Sequence, residues 1–189
     1  MYWVMMSERS NEYELSIDGT PPLIEQHDWR FDCGVKQPAP LPVIDVPFEI
    51  QPDERMVDNI PAYGCRGLLI NDRVKAVFDG LKIDNIHYYS ARLVNQDTGQ
   101  ILSPYWIANI LGKIACVDHS QSDLDYYDDG KIRFIDKLAL TPMPGSKHAR
   151  IFRLAEFLPV MIVSDVLKNA LTEHKITGFT FYKPEDFSL

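Results

Sequence analysis

An apolar run followed by two polar residues and a helical repeat marks the segment after Gly67. Residues 68–70 are Leu-Leu-Ile, and the next pair, residues 71–72, is Asn-Asp, which suits a helix N-cap with an acid in the first turn. Apolar residues then recur at i, i+3, i+4 and i+7, on one helix face: Val74, Val77, Phe78 and Leu81. Gly80 and residues 84–85 end the pattern. The segment predicts a strand at residues 68–70, then a capped helix, and then a second strand over residues 86–94.

Several other segments are typical of β-strands. Residues 95–99, Asn-Gln-Asp-Thr-Gly, form a turn sequence that leads into residues 100–102, so we expect a hairpin. The apolar run 105–117 fits a strand or a buried helix on periodicity alone, and we favour the strand. Three more strands are predicted from apolar composition: residues 1–6, 132–140 and 151–157, the last two being separated by the loop 141–145.

The C-terminal segment repeats the earlier pattern at a constant offset of 93 residues, without gaps. Residues 68–89 and 161–182 each predict a strand, a capped helix and a strand. Five aligned positions are identical: Asp72/Asp165, Lys75/Lys168, Lys82/Lys175, Ile83/Ile176 and Tyr89/Tyr182. In the second segment we expect the buried helix face to consist of Val166, Leu167, Ala170 and Leu171. The pattern indicates a duplicated unit whose two helices pack on a mixed sheet, although generic capping and patterning can also produce such a likeness by chance.

Prolines are concentrated in residues 20–61, which hold eight of the thirteen in the chain. Long helices are excluded there, because proline lacks the amide proton that a helix interior needs. The segment nevertheless contains too many large apolar residues for disorder: Trp29, Phe31, Leu41, Val43, Ile44, Val46, Phe48 and Ile50. We therefore expect a Pro-rich, extended N-terminal third that wraps over the core.

Length and composition fit one folded domain. The chain has 189 residues, 46% of them hydrophobic, which is enough to bury a core without disulfides. We predict a single domain over residues 1–189, with an acidic, Pro-rich region at 1–61 and a main core at 62–189. The predicted fold class is α+β, a mixed and largely antiparallel sheet with two main helices.

The formal charge is negative and uneven along the chain. The net charge is −8, and residues 1–60 carry 12 acidic and 4 basic side chains, whereas residues 61–189 carry 15 of each. This distribution disfavours direct binding to nucleic acid, whose phosphates require Lys and Arg, and it favours a basic protein partner. Solubility alone is the alternative explanation of the charge.

The sequence also bears on the cellular compartment. Cys33, Cys65 and Cys116 are widely spaced and form no CxxC pair, so a reducing compartment fits best. The N-terminus has no basic leader before Glu8, and no window approaches the roughly 18–20 apolar residues of a membrane span. We expect a cytoplasmic protein that neither enters a membrane nor is exported.

Sequence motifs of enzymes and metal sites are missing. The five histidines are scattered, without an HExxH motif: His27, His87, His119, His148 and His174. No GxSxG elbow, P-loop or GxGxxG turn occurs, so a nucleophile elbow and a phosphate-binding loop are both unsupported. We expect no metal and no cofactor. A small hydrolase whose site is assembled from distant groups, such as His87, His119 and Asp118, is the open alternative.

One dense acidic segment includes two tyrosines. Its residues are Asp118, Asp123, Asp125, Tyr126, Tyr127, Asp128 and Asp129, with no basic residue among them. A calcium loop starting at Asp123 would need Gly and Glu where the chain has Asp128 and Phe134, so calcium binding is disfavoured. Two interpretations stay open. The segment is either a solvated loop, or a protein-binding surface whose carboxylates attract a basic partner and whose tyrosines supply rigid contact area. The candidate binding residues are Asp123, Asp125, Tyr126, Tyr127, Asp128 and Asp129.

Short motifs in a fixed order give the chain a family resemblance. They are Tyr2-Trp3-Val4, Tyr105-Trp106-Ile107-Ala108-Asn109-Ile110, Cys116-Val117-Asp118 followed by Ser122, Ile151-Phe152-Arg153-Leu154, and Ile162-Val163-Ser164-Asp165 closing with Thr177-Gly178-Phe179. Their order and spacing resemble a bacterial immunity-protein family that was long catalogued as a domain of unknown function and is associated with polymorphic toxin systems. Each motif alone is weakly specific, and the resemblance spans essentially the whole chain.

The resemblance implies a cytoplasmic antidote, encoded beside a secreted toxin, that binds the toxin domain and blocks its active site. It carries over no catalytic residues. An acidic antidote suits a basic toxin such as a nuclease. A general protein-binding adaptor would have the same sequence features, and only identification of the partner separates the two.

Overall fold

The computed structural model describes residues 1–8, 11–38, 40–142 and 149–189. In these ranges the α-helices are α1 (Pro22–His27), α2 (Asp72–Gly80) and α3 (Asp165–Glu173). The strands are β1 (Tyr2–Ser7), β2 (Ile44–Phe48), β3 (Asn59–Ile60), β4 (Leu68–Asn71), β5 (Ile86–Asn95), β6 (Ile101–Ile110), β7 (Lys113–Ile114), β8 (Asp123–Tyr126), β9 (Ile132–Lys137), β10 (Ile151–Leu154), β11 (Met161–Ser164) and β12 (Phe179–Tyr182). Short 3-10 turns cover Tyr63–Cys65 and Pro184–Asp186.

The strands form two five-stranded sheets and a separate hairpin. Sheet one has the order β12-β1-β11-β10-β7, and sheet two has the order β2-β5-β6-β4-β3, while β8 pairs with β9 alone. Pairs within the sheets are antiparallel except β7–β10 and β2–β5, which are parallel. The α+β class with mostly antiparallel strands is therefore confirmed. The expectation of one sheet is wrong, because strand patterning reveals which segments are strands and not which strands are neighbours.

The two main helices belong to similar strand-helix-strand arrangements. β4, α2 and β5 have bounds that, shifted by 93 residues, coincide with β11, α3 and the start of β12. In each case one antiparallel strand lies between the two flanking strands: β6 separates β4 from β5, and β1 separates β11 from β12. The strand at the centre of one arrangement is thus the N-terminal strand of the chain. A common origin of the two arrangements stays a prediction.

The helix starts are held by equivalent side-chain contacts. The Asn71 carboxamide oxygen accepts from the amides of residues 73 and 74, and the Ser164 hydroxyl accepts from the amide of residue 167. The indole Nε1 of Trp106 donates to Asp72 at 2.7 Å, and that of Trp3 donates to Asp165 at 2.6 Å. The offset of 93 does not relate these two tryptophans, so the likeness between them is visible only in the structure.

The buried face of α3 differs in part from the prediction. Leu167 and Leu171 are buried and Ala170 packs beside them, but Val166 is 43% exposed. One residue turns a helix by about 100°, so Val166 lies on the flank of the stripe that Leu167 and Leu171 define. Arg73 has the corresponding exposed position on α2.

The apolar run 105–117 is extended, and it divides between the two sheets. β6 ends at Ile110 in sheet two, Gly112 has a φ of 101°, and β7 then pairs with β10 of sheet one. A left-handed φ is readily adopted only by glycine, and it turns the chain here.

The strand predicted over residues 132–140 ends at Lys137. Residues 143–145 of the predicted loop 141–145 lie outside the described residues.

Three apolar clusters stack through the molecule. The central cluster joins the inner faces of both sheets with α2 and α3, through residues such as Met5, Ile70, Phe78 and Leu167. A second cluster covers the outer face of sheet two with N-terminal segments, including Leu15, Ile24 and Phe31. The third covers the outer face of sheet one, where the β8–β9 hairpin and Phe187 pack. The hairpin is therefore attached to the outside of sheet one.

Candidate protein-binding surface

The β8–β9 hairpin has one apolar face and one solvent-exposed face. Ile132, Ile135 and Leu138 are 5%, 1% and 0% exposed and pack into the cluster on the outer face of sheet one. The backbone of Ile135 also exchanges two hydrogen bonds, both 2.7 Å, with Leu189. Burial of these apolar side chains and the backbone pairing hold the hairpin in a defined orientation, so its outer face is a structured surface.

A tight turn at residues 127–131 places the acidic residues at the tip. The Tyr127 amide donates to the Lys131 carbonyl at 2.9 Å, and the Gly130 amide donates to the Tyr127 carbonyl at 2.9 Å. Gly130 has a φ of 80°, a left-handed conformation that glycine adopts without a steric cost. Asp128 and Asp129 therefore project from the end of the hairpin.

The structure brings all six candidate residues together on this element. Asp123, Asp125, Tyr126, Tyr127, Asp128 and Asp129 are all exposed. Tyr126 and Tyr127 are 44% and 57% exposed, and Phe134 of β9 adds a third aromatic ring that is 49% exposed. We call residues 123–137 the acidic hairpin. Exposed aromatic rings are enriched at protein interfaces, and exposed carboxylates attract cationic groups.

Two basic residues of the acidic hairpin neutralise part of its charge. Lys131 Nζ lies 2.5 Å from an Asp129 oxygen, and the hydrogen bond it donates lowers the pKa of that carboxyl. Arg133 lies 3.6 Å from Asp125, and its guanidinium stands 5.0 Å from the ring centre of Phe134. Within the described part of the chain, Asp123 and Asp128 form no ion pair. These two carboxylates are thus available to a partner's cations.

Sequence reasoning missed Arg133 and Phe134 as members of this surface. Regular alternation could not have found them, because Ile132 and Ile135 are both buried with two exposed residues between them, and irregularities in the β8–β9 pairing produce this spacing. Only the structure locates this strand beside the acidic tip.

The N-terminal third, the other acidic region, is partly paired. Five of its carboxylates form ion pairs with arginines: Glu14 with Arg55, Asp28 with Arg66, Asp32 with Arg30, Asp45 with Arg92, and Asp58 with Arg73. Three of these arginines come from residues 62–189. The uneven charge along the sequence is therefore partly balanced in space.

The groups considered for a dispersed hydrolase site have separate surroundings. His87 lies on β5 beside the Tyr89 ring, and burial and the charge of Lys36 lower the pKa of its imidazole. His119 Nδ1 lies 3.0 Å from the Tyr126 hydroxyl, while Asp118 accepts hydrogen bonds from Ser120. None of these contacts joins His87 to the other two groups.

Among the described residues, neither the cavities nor the potential metal ligands single out a catalytic centre. Four cavities, of about 480, 480, 360 and 190 Å³, are lined by described residues, and none of the four is lined by a histidine. Across the described ranges, no three His, Cys, Asp or Glu side chains are grouped to hold a metal ion. His148, one of the five scattered histidines, lies outside those ranges.

The cysteines have the character of core residues. Cys65 and Cys116 are buried and Cys33 is half-buried, and all three are free thiols. Burial raises the pKa of both Cys65 and Cys116 to about 12, so neither thiol is ionised at neutral pH.

Among the helices described, none combines the length and the apolar character that crossing a membrane requires.

Comparisons with known proteins identify the family of the chain. A comparison with curated protein sequences finds no match to this chain. A family model described as an immunity protein family, Imm11, matches residues 6–186. That match covers sheet two, sheet one except the first part of β1, both main helices and the acidic hairpin, and so the chain belongs to the Imm11 immunity protein family.

Proposed function

We propose that this protein neutralises a cognate toxin domain by binding it, and that the acidic hairpin is the principal contact surface. The observation that carries the proposal is membership of an immunity protein family over residues 6–186. In this proposal the protein acts as a stoichiometric inhibitor in the cytoplasm of the toxin-producing bacterium and catalyses no reaction. The toxin surface that it contacts is basic, as the nucleic-acid-binding face of a nuclease would be.

The hairpin supports this role through charge and shape. Asp123 and Asp128 lack ion-pair partners among the described residues, so a basic partner can bind them without displacing an internal cation. Tyr126, Tyr127 and Phe134 offer large, rigid side chains that gain contact area at a small entropic cost. Opposite charges would accelerate association, and burial of the aromatic rings would slow dissociation.

The direct test starts with a tagged pull-down from the native bacterium and identification of a toxin domain recovered in equimolar amount. Adding the purified protein to that domain should abolish its activity at a 1:1 ratio, and co-expression should restore growth of cells that produce the toxin. Full inhibition at one equivalent separates an inhibitor from an adaptor, which would bind without lowering toxin activity. A hydrolase would instead inactivate the toxin at far below one equivalent.

The contact surface can be tested with two matched variants. The first changes four hairpin carboxylates to amides: Asp123→Asn, Asp125→Asn, Asp128→Asn and Asp129→Asn. The second makes the same charge change on exposed carboxylates of the N-terminal third: Asp18→Asn, Glu25→Gln, Glu49→Gln and Asp53→Asn. Each variant removes four negative charges, which changes the formal net charge from −8 to −4 in both.

The hairpin variant should bind the toxin at least about tenfold more weakly and with a smaller dependence on salt, because local charge pairs are lost. The N-terminal variant should slow association slightly and leave the dissociation rate unchanged. Equal effects of the two variants would show that only net charge matters. A stronger effect of the N-terminal variant would move the contact surface to that region.

A further inference from the structure

A cavity of about 190 Å³ lies where β1, β10 and the 3-10 turn at residues 63–65 meet the N-terminal segment. The polar residues that line it include Ser7, Asp32, Tyr63, Arg66 and Arg153. Its volume is many times the roughly 15 Å³ that one water molecule needs. The cavity is therefore large enough for a small polar group of another molecule.

Arg153 is buried beside this cavity and forms no ion pair with a carboxylate of the described residues. Its side chain is 3% exposed, Nη1 donates to the Leu158 carbonyl at 2.9 Å, and Nη2 lies 3.5 Å from the Phe31 carbonyl. Its Nε is buried and has no hydrogen-bond partner among the described residues. No carboxylate of the described residues lies within ion-pair distance of the guanidinium, although Asp32 interacts with it electrostatically over a longer distance. Buried charges in proteins are normally paired, so this guanidinium keeps an unused capacity for an anion.

The other charged groups of the cavity leave it with a positive balance. Arg66, a second guanidinium, is 31% exposed and pairs with Asp28, whose side chain is 80% exposed. Asp32, the carboxylate among the lining residues, is bound by Arg30 through two hydrogen bonds of 2.9 and 3.2 Å. The cavity thus combines two arginines with one carboxylate that already has a cationic partner.

Two hydroxyl groups complete the polar lining. The Ser7 hydroxyl oxygen accepts a hydrogen bond of 2.8 Å from the Asn59 amide, which leaves its own proton free for donation. Tyr63 is 73% exposed and lines the cavity from the 3-10 turn. Guanidinium and hydroxyl donors together match a planar anion with two oxygens.

We propose that this cavity is a binding site for one carboxylate group, held between the guanidinium groups of Arg153 and Arg66 with Ser7 and Tyr63 as further donors. The cavity lies on the inner face of sheet one, whereas the acidic hairpin packs on its outer face. The site is therefore separate from the proposed toxin-binding surface and does not depend on the proposed function. Its ligand is either a free small acid or an acidic side chain of another protein.

The test uses the purified full-length protein with selectively labelled arginine. Sodium acetate and, separately, an aspartate residue blocked at both ends are added at constant ionic strength, and the side-chain Hε–Nε NMR signal of Arg153 is followed. Both probes should cause a saturable shift of this signal, and sodium chloride should not. Tighter binding of acetate would assign the site to a free small acid, and tighter binding of the blocked aspartate would assign it to a protein side chain.

Two variants should change the affinity in opposite directions. Arg66→Gln should weaken binding about tenfold, the loss expected for one charge-assisted hydrogen bond. Asp32→Asn should strengthen it about threefold, because a nearby negative charge is removed. Arg92→Gln, at an arginine that pairs with Asp45 on sheet two, is the control and should have no effect. Thermal unfolding verifies that each variant is folded.

A purely structural role for Arg153 makes different predictions. The arginine would then only connect the carbonyl groups of Phe31 and Leu158. The proposal is wrong if neither carboxylate produces a saturable shift, if chloride produces the same shift, or if Arg66→Gln binds both probes as tightly as the unchanged protein.

Discussion

Replacement of Asp58 by alanine should destabilise the fold strongly, because this buried carboxylate connects three separate segments of the chain. Asp58 is 5% exposed and immediately precedes β3. Its carboxylate accepts hydrogen bonds from Asn71 at 2.8 Å, from Arg73 at 2.8 Å, and from the amide and hydroxyl of Thr177 at 3.0 Å each. One side chain therefore connects β3, the start of α2 and the segment before β12.

The expected cost follows from the donors that lose their acceptor. A buried donor that loses its acceptor costs about 1–3 kcal/mol. Arg73 is 58% exposed and Thr177 is also exposed, so water can solvate both side chains, and most of the cost comes from the half-buried Asn71 and the backbone amide of residue 177. Two such donors cost about 2–6 kcal/mol, and for a domain of this size 1 kcal/mol corresponds to about 2–4 °C, which predicts a fall in Tm of about 4–24 °C.

Thermal unfolding followed by circular dichroism measures this effect, and Asp45→Ala is the matched control. Asp45 also pairs with an arginine, Arg92, but the two side chains are 49% and 42% exposed. Exposed ion pairs contribute little, so this control should unfold within about 3 °C of the unchanged protein. If the two variants had the same Tm, the carboxylate of Asp58 would not be the connection described above.

Three further predictions follow from single sites. Burial raises the pKa of Asp58, but hydrogen bonds from Asn71 and Thr177 and the charge of Arg73 more than offset that rise, so the pKa is lowered overall. The contribution of this carboxylate to stability is complete above its unfolded pKa of about 3.9 and is lost as the pH falls through the lower folded pKa. Asp58→Asn should therefore flatten the acid limb of a plot of unfolding free energy against pH, and an unchanged limb would contradict this assignment. Gly178→Ala should lower the free energy of unfolding by about 2–5 kcal/mol in chemical denaturation, because φ is 88° and the new Cβ would lie 1.8 Å from the Asn59 carbonyl oxygen. The control Gly99→Ala, with a φ of 70° but open space around the new Cβ, should lower it by about 1–2 kcal/mol. Cys33 should react first with a thiol reagent at pH 8, since burial raises the pKa of Cys65 and Cys116 to about 12, and equal rates for all three would show that the buried thiols are accessible.

Much of the local structure could be predicted because it depends on neighbours in sequence. The helical repeat after Asn71 and the cap at Ser164 are short-range features, and α2 and α3 begin where those residues predict. The turn at residues 95–99 likewise joins two antiparallel strands. Val166 was wrongly placed in the core, since a residue at the edge of an apolar stripe is buried only if tertiary packing covers it.

The candidate binding residues were identified from composition, but their setting was not. Acidic residues next to Tyr126 and Tyr127 indicated an exposed segment, and they are exposed. The contributions of Arg133 and Phe134 depend on the pairing of β8 with β9, and the orientation of the hairpin depends on Ile135 and its pairing with Leu189. The role of this surface in binding stays a prediction.

The sequence by itself determined the class of elements, the caps of the two main helices and the family resemblance, because each depends on residues at short, regular spacing. Tertiary structure alone decided that the N-terminal strand completes the C-terminal sheet, so that Trp3 and Trp106 contact Asp165 and Asp72 in the same way. It also decided which charges are paired and that Arg153 is buried without an ion pair in the part of the chain that the structure describes. The physical reason is that pairing, burial and desolvation depend on distances between residues far apart in the chain, which local patterns do not specify.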